Sequence, residues 1–140
     1  MNGVTEGKNV QFTIPARGVV HALFENVADT APEHTTKLVE EVARLSVWSP
    51  VVVLAQFAAG VVTVDVRAVQ HWVQVAARPG VRLAGAGVIT RSTLIRLAAQ
   101  TVGLGTRVRG LGVSVNGFDD VAPALTWARG LVESPPEARR

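Results

Sequence analysis

The 140-residue chain contains no cysteine and no tyrosine. Without cysteine it can form no disulfide, thiolate nucleophile or zinc–thiolate site, and a cytoplasmic location is the expectation. Aromatic residues make up only 5% of the chain. That is too few for a base-stacking surface, so nucleic acid is not an expected partner. The opening MNGVTEGKNVQF has no apolar core of secretion-signal type. Acidic residues are missing from Val66 to Phe118, a segment that holds seven arginines. No internal repeat or low-complexity segment occurs.

Charge of either sign is missing from Ser46 to Val64. A stretch of that length could span a bilayer as a helix. Pro50, Gln56 and Gly60 interrupt it, however, and its valines favour a strand. Val51, Val52, Val53, Leu54 and Phe57 form a nearly continuous β-branched and apolar run. Such a run suits a strand covered on both faces, as in a parallel sheet.

The rest of the chain falls into place around that strand. Val10–Ile14 and Val19–Phe24 read as an antiparallel hairpin across Pro15-Ala16-Arg17-Gly18. Thr30-Ala31-Pro32-Glu33 reads as a capping box opening a first helix to about Leu45, with Leu38, Val39, Val42 and Leu45 inward. A second helix is expected from Asp65 to Ala77, with Val66, Val69, Val73 and Ala76 on one face and Trp72 at its flank. Val81–Ile89 is a fourth strand. Thr90 or Ser92 caps a third helix, which Gly103 and Gly105 are expected to end. Arg107–Val115 is read as a fifth strand and Asn116-Gly117 as a turn. Phe118-Asp119-Asp120 opens a last helix to about Glu133. The order ββαβαβαβα predicts an α/β fold, a mixed, mostly parallel sheet flanked by helices. One domain is expected over residues 9–133, with residues 1–8 frayed and 134–140 a disordered tail.

Three stretches carry a resemblance. Phe118-Asp119-Asp120 followed by Ala124-Leu125-Thr126-Trp127, the apolar strand Val81–Arg91 with its polar turn, and Arg17-Gly18-Val19-Val20 are similar to segments of small bacterial STAS-like proteins. STAS denotes sulfate transporters and anti-sigma-factor antagonists. The resemblance, to members of unassigned role, covers about residues 10 to 132 and implies a binding or regulatory domain that acts through protein–protein interaction. Regulatory members of that group carry a phosphorylatable serine at the start of the second helix. Here Val62-Thr63-Val64-Asp65-Val66 stands there, with no serine. Thr63 is the only hydroxyl there: either it takes the phosphate or Asp65 imitates one permanently, or the two residues simply serve helix capping.

No catalytic pattern is present. His21, His34 and His71 include no i, i+4 pair, and there is no G-x-S-x-G elbow. Gly85-Ala86-Gly87 is not a dinucleotide fingerprint, since Thr90 takes the third glycine's place. No enzyme activity, cofactor or metal is expected. A protein partner is expected on the second helix, around Thr63, Asp65, Arg67, Gln70, His71 and Gln74. An anion could be held at Thr90, Arg91, Ser92 and Arg96, at the third helix's start. A basic edge made of Arg78, Arg82, Arg107 and Arg109, joined by Arg44 and Arg129, either docks an anion or complements helix dipoles. Two other roles stay open. One is small-ligand or lipid binding in an apolar cavity between the sheet and the second and third helices, with Arg91 at its mouth. The other is self-association as a homodimer through Trp48, Trp72 or Trp127.

Overall fold

A computed structural model describes residues 9–133. The expected frayed start and disordered tail lie outside the described residues. A five-stranded sheet in the order β1-β2-β3-β4-β5 forms the centre. β1 (Gln11–Ala16) pairs antiparallel with β2 (Val19–Phe24). β2, β3 (Val51–Phe57), β4 (Leu83–Ile89) and β5 (Ser114–Phe118) run parallel. Four α-helices connect and cover them: α1 (Thr36–Ser46), α2 (Ala68–Ala77), α3 (Thr93–Val108) and α4 (Val121–Glu133). The uncharged stretch is therefore strand β3 and its following loop. Among the described residues no helix is long and apolar enough to cross a membrane.

β3 is central because it is apolar on both sides. Val51 and Val53 join Val20, Phe24, Leu38 and Val42 in the core under α1 and α2. Val52 and Leu54 join Val19, Ile89, Ala124 and Ala128 in the core under α4. One helix cannot cover five strands. Beyond α4 the sheet presents His21 and Gln56, whose side chains hydrogen-bond at 2.7 Å.

Several local expectations are corrected. Thr30 does not cap α1. It ends a 3-10 turn, Val27–Thr30, whose capping box is made by Asn26 and Asp29. A second short turn, Pro32–His34, separates it from α1. α2 starts at Ala68, three residues late, because Asp65 first closes a tight turn by accepting from the Arg67 backbone N–H at 2.8 Å. That turn breaks the helical phase, and Val66 leaves the apolar face to which its spacing assigned it. α3 does not stop at Gly103 or Gly105 but runs on to Val108. These glycines permit close approach. A Cβ at 103 would lie 3.0 Å from Val115 Cγ2, and one at 105 would lie 2.9 Å from Val73 Cγ2. Arg107 consequently sits in the last turn of α3 and Arg109 caps it, rather than starting a strand. Asn116-Gly117 lies within β5, and Phe118 ends that strand instead of opening α4.

Candidate functional site

The carboxyl ends of β3 and β4 feed the loops that precede α2 and α3, the usual place for a site in an open α/β sheet. The β3–α2 loop is held from three directions. The Asp65 backbone N–H donates to Thr30 Oγ1 at 2.7 Å, and Thr30 is buried. Thr30 in turn donates its hydroxyl proton to the Val27 carbonyl at 2.7 Å. From the other side Ser92 Oγ donates to the Val62 carbonyl at 2.5 Å. The third tether is ionic: the Arg67 guanidinium meets Asp65 at 3.0 and 3.1 Å and Glu33 at 3.2 and 3.3 Å. Hydrogen bonds from Arg67 hold the Asp65 carboxyl below its usual range; Glu33 is lowered by a backbone hydrogen bond first and Arg67 second.

This fixed loop displays apolar side chains. Val66 is 95% exposed and Val62 is 57% exposed. The sequence placed Val66 in the core, so local pattern gave no warning of it. Of the expected partner-binding residues, Asp65 and Arg67 come together in the ion-pair cluster, while Thr63 and Gln70 stand exposed. Thr63 lies in the loop, well ahead of the first turn of α2.

His71 is half-buried and turned toward α1. Thr35 Oγ1 donates to the Pro32 carbonyl at 3.0 Å. Its oxygen is then left to accept from His71 Nε2–H at 3.1 Å. Burial, and then the charge of Arg78, push the His71 pKa down. The unfolded chain therefore takes up a proton near pH 6.5 that the folded chain resists. Stability is complete above that pH and falls as pH drops through the lower, folded value. The urea midpoint should thus decline as pH falls below about 6.5, and His71→Gln should flatten that part of the curve.

The donors expected to hold an anion at the start of α3 are already in use. The Ser92 N–H donates to Thr90 Oγ1, and Ser92 Oγ accepts from the Ile95 N–H. Arg96 donates to the Thr90 carbonyl at 2.9 and 3.1 Å and to Asp119 at 2.6 Å. Arg91 alone of the four points a charge into solvent without a partner among the described residues. At the opposite edge of the sheet, Arg78 caps α2, Arg107 and Arg109 close α3, and Arg82 donates to the Ser46 carbonyl at 3.3 Å. The Arg44 guanidinium is engaged by Glu41.

An apolar cavity of about 100 Å³ lies where one was expected, between the sheet and α2 and α3. Phe57, Val69, Trp72, Val88 and Ala99 line it; Arg91 does not. Of the tryptophans only Trp48 is exposed, at 73%. Trp72 packs on the core under α1, and Trp127 on the core under α4.

No protein-family model matches the chain, and no curated protein matches it. Two solved structures are similar to it. One is an anti-sigma factor antagonist from Mycobacterium paratuberculosis, 18% identical, covering 87% of this chain and 96% of that one at a TM-score of 0.47. The other is an uncharacterized protein of the DUF3478 family from Shewanella loihica PV-4, 16% identical, covering 86% of this chain and 94% of that one at a TM-score of 0.54. That structure is described as having a SpoIIAA-like fold, and with its β1-β2-β3-β4-β5 sheet the present chain has the same fold, that of STAS-like proteins.

Proposed function

We propose that the chain is a non-enzymatic, regulatory protein-binding domain that works in the cytoplasm and engages its partner through the β3–α2 loop and the outer face of α2. One observation carries this reading: a loop pinned by Thr30, Ser92 and the Glu33–Arg67–Asp65 cluster holds Val62 and Val66 out in water. Fixing a loop costs about 1–2 kcal/mol of backbone entropy per residue. Side chains presented that rigidly bind without a further ordering cost. Gln70 and the rim of the ion-pair cluster supply the polar border that an interface needs. Binding rests on the valines, and a phosphate at Thr63 is not required for it. Ligand binding in the apolar cavity is the weaker reading, because about 100 Å³ holds one small apolar group and not an acyl chain.

A photo-crosslinking amino acid at Val66 tests the proposal in cells. It should give one dominant adduct, absent when the same amino acid replaces the exposed Thr126 on α4. Val62→Gln in the Val66 background should cut the adduct severalfold. Equal labelling from positions 66 and 126 would remove the proposal.

A further inference from the structure

The solvent face of α3 carries a pattern that its fold does not use. Ile95, Val102 and Thr106 point inward. Leu94, Leu97, Leu104 and Val108 are each more than half exposed. With exposed Thr101 among them, these residues recur at spacings of three and four. That is the a/d seam of a helix awaiting another helix. It runs the length of α3, about 21 Å at 1.5 Å per residue. It also starts beside the loop valines, since Ser92, the cap of α3, is bonded to Val62.

Charge decides what can lie on this seam. Arg91 stands just before α3, with Arg107 and Arg109 at its end, and all three are exposed. None has an ion-pair partner among the described residues, whereas Arg67 and Arg96 do. No acid occurs in the sequence from Val66 to Phe118 that holds them. A second copy would bring the same arginines. Laid antiparallel, the Arg91 end of one α3 meets the Arg107–Arg109 end of the other; laid parallel, like ends meet. Both arrangements place cation against cation, which disfavours self-pairing.

We propose that α3 seats an acidic amphipathic helix of a partner protein, with apolar residues along the seam and Asp or Glu near both ends. The proposal rests on the protein-binding reading above and names the chemistry of the partner. Recognition is of the helix-in-groove kind, read by i, i+3, i+4 and i+7 anchors.

The probe is a synthetic peptide of about four turns, with leucine at the a and d positions and glutamate on the flanks. A second peptide carries lysine for glutamate. Titrated into the ¹⁵N-labelled chain, the glutamate peptide should shift the signals of Leu94, Leu97, Leu104 and Val108, and the lysine peptide should not. Leu97→Gln with Leu104→Gln should weaken binding roughly tenfold. Arg107→Gln with Arg109→Gln should weaken it severalfold and reduce its salt dependence. The inference is overturned if the two peptides bind alike, if the shifts fall elsewhere, or if the chain forms a dimer that the leucine substitutions abolish. Should the Val66 crosslink persist while the glutamate peptide fails to bind, only the present inference falls. Should the peptide bind while the crosslink is absent, it is the assignment of the β3–α2 loop that falls.

Discussion

Leu54→Ala is expected to lower the unfolding free energy by about 2–5 kcal/mol. Leu54 is fully buried at the middle of β3, on the face covered by α4. Its loss removes transfer energy and leaves a cavity that α4 can only partly fill. The neighbour across the ladder is Gly87, paired directly with Leu54 in the β3–β4 register. A Cβ on Gly87 would fall 2.9 Å from Leu54 Cδ2, 3.1 Å from Trp127 Cζ3 and 3.3 Å from Phe118 Cε2. Gly87→Ala alone should therefore cost about 1–3 kcal/mol through overpacking. In the Leu54→Ala background the nearest of these contacts is gone, and the same substitution fills space. The double variant should be more stable than the sum of the two losses predicts, by on the order of 1 kcal/mol, in urea unfolding of all four proteins. Strict additivity would show that α4, and not Leu54, sets the spacing at Gly87.

The same strand explains what could be read from the chain directly. β2 and β3 were legible because their β-branched residues are buried on both faces, and no local signal competes with that. The inward stripe of α1 was legible for the same reason: Leu38, Val39 and Val42 are all buried. The errors fall where a residue answers to a distant partner. Gly103 and Gly105 look like a helix stop, yet Val115 and Val73 need the space that their missing side chains leave. A helix that ends at Gly103 or Gly105 leaves Arg107-Val108-Arg109 to a strand, whereas the continuous α3 takes them into its last turn and cap. Thr30 looks like a helix cap, yet its hydroxyl accepts from the Asp65 N–H 35 positions away. That bond helps to turn the chain at Asp65 and releases Val66 into solvent. The candidate site was thus half visible. Asp65 and Arg67 were found as charges at a helix start, while Glu33 and the exposed valines depend on a contact between loops that no window of sequence contains. On α3 the exposed leucines form one apolar stripe and the buried Ile95 and Val102 belong to another, and periodicity alone does not say which stripe meets the sheet.

Gly18→Ala should destabilise the chain by about 3 kcal/mol, from two causes that can be measured apart. Gly18 has φ +75°, in the left-handed region, where a side chain costs about 1–2 kcal/mol. It is also enclosed: a Cβ there would lie 2.8 Å from the Pro50 carbonyl oxygen, 2.9 Å from Val132 Cγ1 and 3.0 Å from Ser49 Oγ. The closest of these atoms is backbone and cannot swing aside. The Gly18 carbonyl also accepts from the Val52 N–H at 2.8 Å, so any shift of the turn is passed to the central strand. Gly80 supplies the comparison. Its φ is +87°, but nothing lies within 4 Å of the position its Cβ would take. Gly80→Ala should therefore show the backbone cost alone, about 1 kcal/mol. Gly60, with an ordinary φ and open space around it, should tolerate alanine at no cost. The excess of Gly18→Ala over Gly80→Ala measures the packing of the hairpin turn between the β3 entry and the end of α4. Equal losses at the two positions would mean that the turn yields, and that β3 is not held at its amino end by Gly18.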